Sequence, residues 1–201
     1  MNRNSTKQRY LNIAAICALL VVFPSVSFAD WKLMPDESYI GFATIKNDAI
    51  VESHSFERIS GHVTSAGQAA IQIDLASVQT QIPIRNERIG SMLFNIAQFP
   101  KLEVLAGIDV MAITKMEQGA TQSLDLTAKT TLHGMTANVK LPLIITRLAG
   151  DRFQVVTTKP VIIYGHQFGL GEGIEALQVI AKLSSITPAV PVTFSLIFGS
   201  D

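Results

Sequence analysis

Apolar side chains recur at every second position through much of this 201-residue chain, and this period constrains the fold more than any other feature of the sequence. Successive side chains of a β-strand point to opposite faces, whereas an amphipathic helix needs an apolar period of about 3.6. The clearest repeat lies near the C-terminus, where Val190, Val192, Phe194, Leu196 and Phe198 alternate with other residues. The sequence therefore predicts a protein built mainly of β-strands.

The same alternation predicts about eight strands, over residues 38–46, 51–63, 69–76, 102–110, 122–132, 139–145, 153–157 and 190–198. Turn signals that contain Gly, Asn or Asp separate many of them, at residues 46–48, 66–68, 117–119, 133–134 and 149–151. Two longer connections, residues 84–95 and 173–183, carry a partly helical apolar period. Because most links are short and no strand–helix–strand rhythm is present, we predict one domain formed by a closed or sandwiched antiparallel sheet.

The first 29 residues have the composition of an export signal. Arg3, Lys7 and Arg9 precede an uninterrupted apolar run over residues 13–23, and residues 27–29 place small side chains where a signal peptidase reads them. The run is shorter than the roughly 20 residues that a membrane-spanning helix needs. We therefore predict a cleaved signal peptide over residues 1–29, a mature domain over residues 30–201 without an integral membrane segment, and a periplasmic location.

Cleavage would change the charge of the chain, which has 16 basic and 16 acidic side chains in full. Three basic residues lie in the predicted signal, so the mature domain would carry 13 basic and 16 acidic side chains and no cysteine. A domain without thiols depends on a packed core and not on disulfides. Charged residues make up only 16% of the chain and hydrophobic residues 48%, which excludes a nucleic-acid binder that works through a basic face.

The interior of an eight-stranded barrel is either filled by side chains or just wide enough for one small ligand. Small residues accompany the branched ones in several predicted strands, namely Ala43, Ala69, Ala70, Ala76, Ala106, Ala112 and Ala128. If these alanines face inward, they leave room for a long apolar molecule with at most one polar end. If they face outward or pack beneath helices, the interior is filled, and periodicity leaves both alternatives open.

A set of short motifs follows in a consistent order along the mature chain. They are Trp31 with residues 38–42, then residues 56–61, 77–80, 84–88, 94–100 and 131–136, and finally the helix and strand over residues 165–183 and 190–198. In their order and spacing they resemble the YceI family of periplasmic lipid-binding proteins. The resemblance implies an all-β fold, an eight-stranded antiparallel lipocalin-like β-barrel with one or two short helices.

The resemblance further implies binding without catalysis and without a required cofactor. The ligand would be an amphiphilic lipid held in the barrel lumen, such as an isoprenoid quinone or a polyprenyl lipid. This chain departs from the family at residues 85–89, which read Arg-Asn-Glu-Arg-Ile where Arg-Asp-x-His-Leu is usual. The preference for a particular head group is therefore the property that the resemblance transfers least.

Eight residues are predicted to contact the ligand: Phe42, Arg85, Arg88, Phe94, Leu126, His166, Leu177 and Phe194. Arg85 and Arg88 become neighbours if their segment is helical. They would then pair either with an anionic head group or with Glu87 and the barrel rim, and both interpretations stay open.

The sequence predicts no catalytic residue and no metal site. His54 and His62 would lie about 26 Å apart on one strand, too far to share an ion. Residues 169–173 contain glycines, but none lies three residues after the second, where a dinucleotide-binding loop needs its third glycine. No nucleophile elbow is present either.

We therefore expect a non-catalytic periplasmic protein that transports, stores or sequesters its lipid, with a homodimer allowed by an exposed barrel face. The alternative is a periplasmic enzyme acting on an isoprenoid or lipid substrate, with His166, Arg85 and Arg88 as its polar groups. An outer-membrane barrel is disfavoured, because one Trp and three Tyr are too few for aromatic girdles.

Overall fold

The structure, a computed structural model, describes residues 31–200, so the predicted signal peptide lies outside the described residues. The strands of this part of the chain are β1 (Trp31–Leu33), β2 (Tyr39–Lys46), β3 (Ile50–Phe56), β4 (Ile59–Val63), β5 (Gln68–Asp74), β6 (Val78–Gln79), β7 (Lys101–Gly107), β8 (Thr121–Leu132), β9 (Met135–Arg147), β10 (Arg152–Thr157), β11 (Val161–Tyr164) and β12 (Ala189–Ser200). The α-helices are α1 (Pro83–Arg88), which continues into a π-helical turn over Ile89–Leu93, α2 (Val110–Thr114) and α3 (Gly171–Ile180). No helix within residues 31–200 is long and apolar enough to cross a membrane.

These strands build a closed antiparallel barrel of eight positions, four of which are occupied by two strands in succession. The strands β1 and β2 both pair with β12, and so do β10 and β11. The strands β4 and β3 pair with β1 and β2 respectively, and β5 and β6 pair with β4 and β3. The pairs β1/β2, β3/β4, β5/β6 and β10/β11 therefore each share one position of the barrel. The pairing of β1 with β12 closes the ring, which confirms the predicted eight-stranded antiparallel barrel.

Two of the predicted turns show why the chain reverses where it does. His133 and Gly134 have φ angles of 52° and 74°, as a two-residue type I′ turn requires, and they connect the paired residues Leu132 and Met135. Asn47 and Asp48, with φ angles of 48° and 61°, turn the chain between β2 and β3. Both turns use residue types that tolerate positive φ, so the register of each hairpin follows from its turn.

The predicted strand over residues 102–110 is wrong at its end, because β7 stops at Gly107 and Val110 begins α2. The carboxylate of Asp109 accepts a hydrogen bond of 3.1 Å from the amide of Ala112 and so caps this helix. Val110 and Ile113 then lie buried in the barrel core. The apolar alternation through Ile108 and Val110 therefore predicted a strand where the chain forms a third short helix. Asp109, immediately before apolar residues, is itself a helix-start signal.

The barrel core divides into two apolar clusters, one at each end. The end that contains β1 and α2, called the Trp31 end below, buries Trp31, Leu33, Ile40, Ile59, Val63, Ile73, Val110, Ile113, Ile145, Phe153, Leu196 and Phe198. The opposite end, called the α1–α3 end, buries Leu75, Val78, Ile89, Phe94, Leu132, Val139, Val161, Phe168 and Leu170. The helices α1 and α3 contact each other through the π-helical turn and cover the second end.

Candidate functional site

The barrel encloses two cavities, with volumes of about 100 Å³ at the Trp31 end and about 510 Å³ toward the α1–α3 end. Both are lined by Ile71, Val104, Leu141, Phe194 and Leu196, so they lie next to each other along the barrel interior. The larger volume falls in the range of roughly 300–1,000 Å³ that is typical of small-molecule sites. The interior of this barrel is therefore a lumen and not a filled core.

The alanines account for only part of this space. Ala69 and Ala106 are cross-strand partners in β5 and β7, and both line the small cavity. The others line neither cavity, namely Ala43, Ala70, Ala76, Ala112 and Ala128. Inward-facing alanines thus open the small cavity, whereas the large cavity lies beneath α1 and α3, whose apolar residues form part of its wall.

A row of aromatic rings forms part of the wall of the large cavity. Ring centroids are separated by 6.3 Å between Phe94 and Phe56, by 5.3 Å between Phe56 and Phe42, and by 5.2 Å between Phe42 and His54. The β2–β3 register explains the row, because Phe42 lies opposite His54 and Ile40 lies opposite Phe56. The structure therefore brings the predicted residues Phe42 and Phe94 to one wall, with Phe56 between them.

The helix α3 covers the large cavity with one apolar face. Ile174, Leu177 and Ile180 line the cavity, at the spacing that places residues on one side of a helix. Gly173 allows α3 to approach the π-helical turn closely, because a Cβ atom at this position would lie 2.8 Å from the carbonyl oxygen of Met92. The predicted ligand contact Leu177 thus belongs to a helix that packs directly over the lumen.

The mouth of the large cavity lies beside α1 and the end of α3. Ile82, Ile84 and Ile180 line the cavity and are also 44%, 50% and 43% exposed, so the cavity reaches solvent at these side chains. The tip of the β2–β3 hairpin is held against the segment that follows α3. The side-chain oxygen of Asn47 accepts hydrogen bonds of 2.9 and 3.0 Å from the backbone amide and hydroxyl of Ser184.

A charged cluster formed by Lys46, Glu52 and Arg85 lies in the wall of the large cavity. One carboxylate oxygen of Glu52 accepts hydrogen bonds from Lys46 Nζ at 2.7 Å and from Arg85 Nη1 at 2.6 Å. The hydrogen bond from Lys46 and the charge of Arg85 hold the pKa of Glu52 below its ordinary value, against the opposing effect of burial. The cluster therefore carries one net positive charge at neutral pH.

Local structure positions this cluster. Pro83 occupies the first turn of α1, where its missing N–H costs no hydrogen bond. Arg85 follows on that turn and donates through Nη2 to the carbonyl oxygen of Thr80 at 2.6 Å. Arg85 forms its ion pair with Glu52, which neither of the two interpretations from the sequence named, and not with Glu87. Arg88 also lines the cavity and has no ion pair with another described residue.

His54 lines the same cavity and is only 5% exposed. Its Nε2 lies 2.9 Å from the hydroxyl of Thr44, whereas Nδ1 is buried without a hydrogen-bond partner among the described residues. Burial lowers the pKa of His54, and the nearby charges of Arg85 and Lys46 lower it further, against an opposing effect of Glu52. The imidazole is therefore neutral near pH 7.

The remaining predicted contacts occupy three different places. Phe194 lines both cavities, while Leu126 lines the small cavity alone. His166 lines neither cavity: its side chain is exposed, and its ring lies 5.6 Å from that of Tyr164. The short turn Gly165–Phe168 explains this position, because it buries Phe168 completely and leaves His166 outside. The structure therefore places the predicted ligand contact His166 outside both cavities.

Sequence reasoning missed Thr44, Lys46, Glu52 and His54 as a group. Two signals in the sequence would have found them. The period of two that places Phe42 in the lumen places Thr44 and Lys46 there as well, and the turn at residues 47–49 brings Glu52 and His54 opposite. Within residues 31–200 no three His, Cys, Asp or Glu side chains are placed to hold a metal ion.

Comparisons with known proteins agree with this geometry. Residues 31–198 match the family model described as the YceI-like domain. No curated protein matches the chain. Among solved structures, a polyisoprenoid binding domain from Saccharophagus degradans implicated in plant cell wall breakdown is 31% identical, with 87% of this chain and 100% of that chain covered and a TM-score of 0.84. BcnA from Burkholderia cenocepacia is 17% identical, covers 82% of this chain and 98% of its own, and has a TM-score of 0.61, which supports the fold alone.

Proposed function

Because this chain belongs to the YceI-like family, we propose that it binds a polyisoprenoid or a similar long-chain amphiphile inside the barrel. The observation that carries the proposal is the lumen itself, a cavity of about 510 Å³ that adjoins a second apolar cavity of about 100 Å³. The tail would extend toward the Trp31 end. The polar head would lie near the mouth, where Thr44, Lys46, Glu52, His54, Arg85 and Arg88 form most of the polar part of the wall.

Burial of the tail would supply the affinity. Each methylene group removed from water contributes roughly 0.8 kcal/mol, so ten buried carbons contribute on the order of 8 kcal/mol before association costs are subtracted. An apolar wall gives this energy to any tail of suitable width. We therefore expect loose selection for tail chemistry, with the few polar groups near the mouth selecting the head.

The Saccharophagus degradans domain supports the same ligand class. That domain is described as polyisoprenoid binding, and this chain covers its whole length at 31% identity. We extend the ligand class to this protein as a proposal, together with a periplasmic location after cleavage of residues 1–29. Its role would be transport, storage or sequestration of the lipid.

A non-catalytic role fits the placement of the polar groups better than an enzymatic one. The enzymatic alternative needs His166 together with Arg85 and Arg88 beside one substrate. The two arginines line the large cavity, whereas His166 is exposed and outside it. No observation within the described residues therefore favours the enzyme.

The experiment that tests the proposal is native mass spectrometry of the mature protein, residues 30–201, followed by solvent extraction of whatever it carries. We expect a long-chain isoprenoid or fatty amphiphile at one molecule per barrel, and the same spectrum reports whether the protein is a homodimer. Repeated isolation of empty protein that also fails to take up isoprenoid quinones and polyprenols would overturn the proposal.

A further inference from the structure

His54 presents an unusual combination of burial and an unused hydrogen-bonding atom. The residue is only 5% exposed and lines the large cavity. Its Nδ1 has no hydrogen-bond partner among residues 31–200. A buried polar atom without a partner is unfavourable, so an occupant of the adjoining cavity that supplies the missing hydrogen bond is favoured. The ring of Phe42, with its centroid 5.2 Å away, makes the immediate surroundings apolar.

The hydroxyl of Thr44 allows this nitrogen to act in two ways. A neutral imidazole has one N–H donor and one acceptor nitrogen, and a threonine hydroxyl both donates and accepts. If Thr44 donates to Nε2, then Nδ1 carries the proton and acts as a donor. If Nε2 carries the proton and donates to Thr44, then Nδ1 becomes an acceptor. The 2.9 Å separation of Thr44 Oγ1 and His54 Nε2 serves both arrangements, so no side chain needs to move.

The position of the pair within the cavity favours a neutral partner. His54 follows Glu52 by two residues on β3, so it lies roughly 7 Å further into the barrel, below the charged cluster. Lys46 and Arg85 already share the carboxylate of Glu52, so their charges are partly compensated. An anionic head would instead meet Arg88, which also lines the cavity and has no ion pair with a described residue.

We propose that His54 and Thr44 form a head-group site for one neutral oxygen, and that the site accepts the carbonyl and the hydroxyl form of the same lipid with comparable affinity. A quinone and its hydroquinone are such a pair. This inference rests on the proposed lipid-binding function and adds the chemistry of the head. The protein takes no part in the reduction. By linkage, equal affinity for the two forms leaves the reduction potential of the bound lipid equal to that of the free lipid.

The first test compares three probes on the mature protein: a benzoquinone with a short prenyl tail, its hydroquinone prepared with dithionite, and a prenyl hydrocarbon of the same tail length. Isothermal titration should show that both headed probes bind about three- to tenfold more tightly than the hydrocarbon, the effect of one net hydrogen bond. His54→Leu should remove this advantage and His54→Gln, which keeps a donor and an acceptor, should restore it. His62→Leu, at an exposed position on β4 outside both cavities, is the matched control.

The second test uses ¹⁵N NMR of the wild-type protein, which has four histidines. We expect the proton of His54 to reside on Nδ1 in the quinone complex and on Nε2 in the hydroquinone complex. This exchange distinguishes a head-group contact from a purely structural role, and it needs no variant that must fold.

Three results would overturn the inference. One is an unchanged His54 tautomer in the two complexes. Another is an equal loss of hydrocarbon and headed probes in His54→Leu, in which case lipid binding stands and the head-group site does not. The third is a prenyl phosphate that binds more tightly than both neutral heads and depends on Arg88. If no probe binds, including the hydrocarbon, the proposed function fails and the inference fails with it.

Discussion

The two ends of the lumen are lined by different kinds of side chain. At the Trp31 end the small cavity is lined by apolar side chains and Thr114, whose hydroxyl donates to the carbonyl oxygen of Val110 at 3.0 Å. At the α1–α3 end the large cavity contains a charged cluster, and both His54 Nδ1 and Arg85 Nε are buried without partners in residues 31–200. The one polar side chain that lines the small cavity has its partner within the protein, whereas polar atoms beside the large cavity leave hydrogen bonds for a ligand. Arg152 Nε, at the Trp31 end, is also buried without a partner among the described residues, but Arg152 lines neither cavity.

This difference teaches where stability and binding are located. Packed apolar contacts and closed strand ladders stabilise the Trp31 end, and its Trp31 and Phe153 rings meet edge to face at 5.6 Å. Unpartnered polar atoms and open volume at the α1–α3 end are unfavourable for folding and are typical of a binding site. Four predictions separate the two contributions, and they are ordered by the size of the expected effect.

The largest effect is expected from matched truncations of one phenylalanine at each end. Phe153→Ala should lower the free energy of unfolding by about 3–5 kcal/mol, because Phe153 is buried against Trp31 and beneath the guanidinium of Arg147. Phe42→Ala should cost less than about 2 kcal/mol, because Phe42 is only half-buried and part of its ring faces the larger cavity, although it also contacts the rings of His54 and Phe56. Chemical denaturation of both variants measures the difference. Equal losses would contradict the division between the ends.

The next effect concerns ligand length. Ala69→Leu places a larger side chain in the small cavity, so the end of a long tail should lose two or three methylene groups of burial. We expect roughly a 15- to 60-fold weaker affinity for a long polyprenyl probe and no change for a short one. Ala70→Leu, the neighbouring residue that lines neither cavity, is the control. If the long probe is unaffected by Ala69→Leu, the tail does not reach the Trp31 end.

A smaller effect is expected at Glu52. Because its pKa in the folded protein lies below the ordinary 4.5, the unfolded chain binds this proton first as the pH falls. The ion pairs of Glu52 with Lys46 and Arg85 stabilise the folded protein above pH 4.5, and this stabilisation is lost as the pH falls toward the folded pKa of Glu52. Glu52→Gln should cost about 1 kcal/mol or less near pH 7, because solvent screens the half-buried pair. The variant should also have a flatter stability profile below pH 4.5, measured by urea unfolding. Glu57→Gln, at an exposed carboxylate, is the control.

The smallest effect is expected from the protonation of His54. Its folded pKa lies below the ordinary 6.5, so the unfolded chain binds the proton at a pH where the folded protein does not. Stability should therefore fall as the pH drops from 6.5 toward the folded pKa, and His54→Gln should remove this decline. Thermal unfolding at several pH values above the range of Glu52 measures it. An identical decline in wild type and variant would mean that the pKa of His54 is the same in the folded protein as in the unfolded chain.

Much of the barrel was predictable from the sequence because each strand carries its own signal. The alternation over residues 190–198 predicted β12 (Ala189–Ser200), and a His-Gly pair predicted the turn between β8 and β9. The interruptions were not predictable in this way. The alternation over residues 51–63 extends across Glu57 and Arg58, where the chain divides β3 from β4, since barrel curvature depends on neighbours distant in sequence.

The site residues whose inward orientation follows from alternation along one strand were predictable. Those brought together by the register between two strands were missed. Phe42 and Phe194 belong to alternating runs, and both line the large cavity. His54 was considered only as a metal ligand, whereas its partner is Thr44, ten positions away and brought near by the hairpin register. His166 was favoured for its proximity to a helix, but a single turn decides whether a side chain faces in or out, and Phe168 takes the inward position.

The closure of the ring also determines when the molecule can fold. Trp31 pairs with Ser200 and Leu33 pairs with Phe198, so the first and last strands of the described chain complete each other. The strand β12 also pairs with β2, β10 and β11, and such distant pairings slow folding. The barrel therefore cannot close before β12 has been synthesised. Until then β1, β2 and β10 lack this shared partner, and the nascent chain remains an open sheet.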